Sequence, residues 1–145
     1  MSSGIRKTQQ GFTLLEIMVV VTILGLLAAF IVPNVIGQGE KAKMDLARAN
    51  MASIGNALDM YKLDNNRYPT SDQGLQALVE KPSDARNWNP AGYLSGSNVP
   101  QDPWGNDYIY LSPGIDGPYD LLSLGADGAE GGEGFDADIN YRDVR

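Results

Sequence analysis

Neither cysteine nor histidine occurs anywhere in the 145 residues. The first absence excludes disulfide staples, thiol nucleophiles and Cys-ligated zinc. The second removes Ser-His triads and imidazole metal sites. No phosphate-cradling P-loop is present either, so this chain does not draw work from a nucleotide. Enzymes built on carboxylates or lysine alone stay open, a two-carboxylate hydrolase among them, but a sequence does not display such a cleft. Positive charge is missing from one long stretch. Between Arg86 and Arg142 there is no basic residue, whereas nine acidic residues lie from Asp102 to Asp138. A net charge of −7 with no basic patch argues against nucleic acid as a partner.

Charge of either sign is nearly absent from a second stretch. From Phe12 to Gly37 the only charged side chain is Glu16, and the residues after it are almost all hydrocarbon. About 25 residues, 12–36, at ~1.5 Å each suffice to cross a bilayer core. Residues 1–11 carry Arg6 and Lys7 and no acid, so the N-terminus is expected on the cytoplasmic side with the rest exported. The apolar run is longer than the core of an ordinary secretory signal, and a retained membrane helix is the better reading. Glu16 is then costly, by roughly 2.5–3.5 kcal/mol on insertion scales, unless it finds a partner. Cutting after Gly11 would place a new α-amine at Phe12, four residues away.

Pro33, with Gly25, Gly37 and Gly39, weakens this helix, and a kink or local loss of helix is expected near Pro33. Residues 37–66 read as an amphipathic helix. Ala47, Met51, Ile54, Leu58 and Tyr61 recur at spacings of four and three and mark a face for packing on a globular part. A coiled-coil seam is the less favoured reading of that stripe. Within residues 67–145, Gly74 to Val79 suit a short helix before Pro82. Tyr108–Leu111 and Tyr119–Leu124 suit two antiparallel strands joined by a turn through Ser112-Pro113-Gly114 and Asp116-Gly117-Pro118. The fold class is α+β: a long N-terminal helix packed on a small C-terminal antiparallel sheet. Trp88 and Trp104 are expected to pack rather than to bind ligands.

Gly125 to Asp138 is a glycine-rich loop with carboxylates every few positions. Ordering it costs roughly 1–2 kcal/mol of backbone entropy per residue, and its charges repel. Two readings stay open from composition. One is a solvated flexible loop; the other is a loop held by Ca2+, a hard cation that accepts carboxylates and backbone carbonyls. The spacing does not match an EF-hand.

Gly11-Phe12-Thr13-Leu14-Leu15-Glu16, basic before and apolar after, resembles the leader and first helix of type IV pilins and pseudopilins. Further stretches are similar to the major pseudopilins of type II secretion systems: Ala57 to Asn65, Tyr68-Pro69-Thr70, Gln73 to Leu78, Asp102-Pro103-Trp104-Gly105-Asn106 and Ser123 to Gly128. The resemblance covers nearly the whole chain. It implies that residues 1–11 are a leader removed by prepilin peptidase between Gly11 and Phe12, with methylation of the Phe12 amine. It implies that Glu16 meets the Phe12 amine of a neighbouring subunit on assembly. It also implies Ca2+ in the C-terminal loop, with the Leu124 carbonyl and the Asp127 and Asp138 carboxylates as ligands and carbonyls near Ala129 and Phe135 as weaker candidates. The chain departs from the family at its end, where Asp138-Ile139 is followed by Asn140-Tyr141-Arg142 instead of Gly-Asn-Trp. Tyr141 offers an aromatic in its place.

The expected function is therefore the major structural subunit of a pseudopilus, not an enzyme. It would polymerise in the periplasm and drive folded proteins across the outer membrane. The implied partners are further copies of the chain, prepilin peptidase, minor pseudopilins, an inner-membrane assembly platform, exported proteins and an outer-membrane secretin. A type IV major pilin for adhesion or motility, a minor pseudopilin at the filament tip and a non-polymerising calcium-binding anchor are the competing readings. The first usually closes its loop with a Cys pair, which is absent here.

Overall fold

The computed structural model describes residues 10–144, and the side chains of residues 32–36 fall outside that description. The basic residues of the expected leader, Arg6 and Lys7, likewise lie outside it. Two compact units emerge, residues 1–38 and 39–145, each described in turn.

Helix α1 runs Leu14–Asn65. In its first part, Leu14–Ile31 is an 18-residue stretch long and apolar enough to cross a membrane, and none of it is buried. The polar Thr22 hydroxyl does not disturb this surface, because it donates to the Met18 carbonyl at 2.7 Å within the helix. The helix continues unbroken through Pro33, so of the expected kink or local loss of helix the loss does not occur. Proline removes one backbone donor, and the flanking turns carry the helix past it.

In the second unit α1 turns amphipathic as its spacing predicts. Ala47, Met51, Ile54, Leu58 and Tyr61 are all 0% exposed. The helix stops where Asn66 adopts a left-handed conformation at φ 62°, with its N–H donating to the Lys62 carbonyl at 2.7 Å. A 3-10 turn at Leu75–Leu78 then adds Leu75, Ala77 and Leu78 to the core. The anticipated hairpin follows, with β1 at Ile109–Leu111 and β2 at Asp120–Ser123, antiparallel with Tyr110 opposite Leu121. A third strand, β3 at Ile139–Asn140, pairs antiparallel with β2 and completes the order β1-β2-β3. No strand was expected there, because two residues are too few to display an alternating pattern.

The core between helix and sheet is unusually rich in tyrosine. Tyr119 stacks on Tyr141 at 6.0 Å and meets Tyr68 edge-on at 4.9 Å. Burial pushes the Tyr110 phenol up to about 12, so it stays a neutral donor to the Pro69 carbonyl at 2.7 Å. That bond ties β1 to the segment leaving α1.

Candidate functional site

Two regions carry the residues singled out above, one in each unit. At the start of α1, Phe12 is 79% exposed, and Gly11 beside it is exposed too. The bond between them is exposed. Thr13 caps the helix: its hydroxyl accepts from the Glu16 N–H at 3.2 Å, and its carbonyl accepts from the Ile17 N–H at 3.2 Å. Thr13-Leu14-Leu15-Glu16 thus has the Thr-x-x-Glu spacing of a capping box, a signal the sequence analysis did not use. Glu16 falls in the first helical turn, where unsatisfied N–H groups favour an acid. Among the described residues no cation pairs with it.

The second region is the acidic loop, and here the structure brings the candidate ligands onto two limbs. Leu124, Asp127 and Ala129 lie on the first, Phe135 and Asp138 on the second. The limbs are joined by the Ala126 N–H donating to the Phe135 carbonyl at 3.0 Å. They also touch at Gly125, whose φ of 72° suits glycine and where a Cβ would stand 2.7 Å from the Ala137 carbonyl oxygen. The Asp127 carboxylate accepts from the Ala129 N–H at 3.0 Å, a local turn on an exposed stretch. Asp138 Oδ2 accepts from the Gly131 N–H at 3.0 Å, but its Oδ1 is buried with no hydrogen-bond partner. Among the described residues no three carboxylates converge on one point. A cation here would draw on at most two of them and on backbone carbonyls.

The turn Asp102 to Asn106 packs against this loop at Gly128, and Trp104 packs as expected. The Trp104 indole N–H donates to Glu40 Oε2 at 2.8 Å, pinning the turn to α1. That bond, reinforced by the Lys43 ammonium bonded to Oε1 at 3.2 Å, holds the Glu40 carboxyl below its ordinary range. At the chain's end Arg142 reaches two acids, Asp116 at 3.1 Å and the buried Asp120 at 2.5 Å. Asp120 Oδ2 also accepts from the Ile115 N–H at 2.8 Å. Nothing in these arrangements resembles a catalytic constellation.

Two family models match the chain over ranges that include both regions. A family model described as type II secretion system protein G matches residues 34–142, and one for the prokaryotic N-terminal methylation motif matches residues 6–32. The chain is 58% identical over 141 residues to the type II secretion system core protein G of Vibrio cholerae, covering 96% of this chain and 95% of that one. It is 56% identical over 141 residues to the same protein of Pseudomonas aeruginosa, covering 95% and 98%. A crystal structure of the major pseudopilin from enterohaemorrhagic Escherichia coli superposes with a TM-score of 0.62 at 43% identity, over 76% of this chain and 95% of that one. The chain therefore belongs to the type II secretion system protein G family, the major pseudopilins, as a structural subunit of the secretion machinery and not an enzyme.

Proposed function

We propose that the chain is a precursor cut by prepilin peptidase between Gly11 and Phe12, methylated on the Phe12 amine, and polymerised through Glu16 into a periplasmic pseudopilus. Before assembly Leu14–Ile31 holds it in the inner membrane, N-terminus cytoplasmic and residues 39–145 periplasmic. The single observation that carries this reading is Glu16, in the first turn of a fully exposed apolar span and four residues from Phe12. In lipid, that carboxylate is a penalty unless a cation meets it. The Phe12 amine of a neighbouring copy supplies one and sets the register between subunits. Lateral packing of the apolar helices then adds contact area along the filament. The growing homopolymer works with minor pseudopilins, an inner-membrane platform and an outer-membrane secretin to move exported proteins.

The same reading assigns Ca2+ to the acidic loop, and the residues there fit it. Asp138 Oδ1 is an acceptor buried without a donor, which is costly unless a cation faces it. Asp127 and Asp138 would supply the carboxylates, and Leu124, Ala129 and Phe135 the carbonyls, a donor set suited to a hard cation. Bound calcium would neutralise carboxylates that otherwise repel and offset the entropy of ordering the loop. The chain's own contribution is to hold the two limbs together through Ala126, Phe135 and the glycine at 125.

Replacing Glu16 with Ala tests the assembly step. Cleavage and membrane insertion should proceed as before, while surface or periplasmic filaments disappear. Filaments at the wild-type level would overturn the role of Glu16 and favour a non-polymerising anchor.

A further inference from the structure

We propose that Asp102 is a positioning residue for the calcium loop, an inference that rests on the calcium reading above. Its side chain is buried, the residue being 4% exposed, and both carboxylate oxygens are engaged. Oδ1 accepts from the backbone N–H of Trp104 at 3.1 Å and of Asn106 at 2.8 Å. Oδ2 accepts from the Ser123 hydroxyl at 2.9 Å. The Ser123 oxygen accepts in turn from the Gly125 N–H at 3.4 Å, at the point where the two limbs of the loop touch. The other end of the turn reaches the same limb, because the Asn106 amide stands over Gly128. A Cβ there would lie 3.1 Å from Asn106 Nδ2 and 3.2 Å from Oδ1. One carboxylate therefore fixes two points, Gly125 and Gly128, on the limb that carries Leu124, Asp127 and Ala129.

A buried carboxylate is expensive to desolvate, and it persists where fixed donors repay that cost. Asp102 has three such donors, one of them on β2 and two on its own turn. A cation site built partly from backbone carbonyls depends on the limb being arranged before the ion arrives, and groups outside the coordination sphere supply that arrangement. Among the described residues none of the side-chain hydrogen bonds of Asp102 goes to a candidate ligand. Asp102 acts through Ser123 and Asn106.

The test is calorimetric titration of the full chain in detergent micelles with calcium chloride, for the wild type and for Asp102→Asn, Ser123→Ala and Asp138→Asn. The wild type should take up calcium and Asp138→Asn should lose it, which keeps the calcium reading separate from this one. Asp102→Asn keeps the shape but removes the charge, and its amide N–H2 must face either the two backbone N–H donors or the Ser123 hydroxyl that now donates to Oδ2. It should bind about 10–100-fold more weakly, the range for partners outside the first coordination sphere. Ser123→Ala should weaken binding in the same direction while leaving the turn intact. The calcium-dependent rise in melting temperature should shrink in both. If Asp102 only braces its turn, Asp102→Asn melts lower with and without calcium and keeps the wild-type Kd, which overturns the proposal. Where Asp102→Asn fails to fold, an unchanged Kd for Ser123→Ala overturns it as well. A wild type that takes no calcium sinks both this inference and the reading beneath it.

Discussion

The Tyr141 ring lies directly on Gly55 of α1. A Cβ at Gly55 would stand 2.1 Å from the Tyr141 hydroxyl oxygen and 2.3 Å from its Cζ. The helix and the last turn of the chain meet there without a side chain between them. The same ring stacks on Tyr119, with centroids 6.0 Å apart.

Gly55→Ala should push that ring out of its stack and cost about 1–3 kcal/mol, as overpacking of a filled core does. In a domain of this size that corresponds to roughly 4–8 °C in Tm per kcal/mol. Helix propensity acts the other way by up to ~1 kcal/mol, so an unchanged or raised Tm would mean the ring yields freely.

Arg142 serves two acids of very different burial, and its worth should follow the buried one. Asp120 is nearly enclosed, whereas the Asp116 side chain is 77% exposed. Arg142→Met should cost about 1.5–3 kcal/mol, the range for a hydrogen bond to a charged group, because it takes the guanidinium from the buried Asp120 carboxylate and leaves it the Ile115 N–H. Asp116→Ala should stay within about 1 kcal/mol, as exposed pairs do. Urea unfolding of the two variants checks the order.

Glu40 gives the Trp104 contact a pH dependence. Its folded carboxyl is held below the ordinary value of 4.5, first by the Trp104 indole and then by Lys43. The contact therefore contributes fully above about pH 4.5 and is lost as pH falls through the lower folded value. Side-chain NMR of Glu40 should show that depressed titration and show it relax toward 4.5 in Trp104→Phe. No change in the variant would contradict the assigned cause.

Chelation should loosen the acidic loop. With calcium at about a hundred times its Kd the bound form gains ~2.7 kcal/mol, so EGTA should lower Tm and open residues 125–138 to proteases. Identical digestion with and without calcium would remove the cation from the account.

Much of this was legible beforehand, for physical reasons that vary along the chain. The stripe from Ala47 to Tyr61 follows helical periodicity, and all five residues are fully buried. Tyr108–Leu111 and Tyr119–Leu124 stood out by β-rich composition between proline and glycine turns, and they pair as β1 and β2. What stayed hidden depends on distant partners. β3 consists of Ile139 and Asn140 and exists only because β2 lies beside it. Asp102 looks like a turn residue until Ser123, 21 positions later, donates to it. Arg142 and Asp120 are separated by 22 residues and share no local pattern. Glu16 was conspicuous because it is alone among hydrocarbon, yet the Thr13 cap beside it went unused.

The central claim is that the chain is cut and modified at Phe12 so that Glu16 can serve assembly. Mass spectrometry of the N-terminal peptide from membranes of cells with an active prepilin peptidase tests it most directly. The account predicts a chain beginning at N-methylated Phe12. An intact Met1, or a cut near Ala28-Ala29, would contradict it.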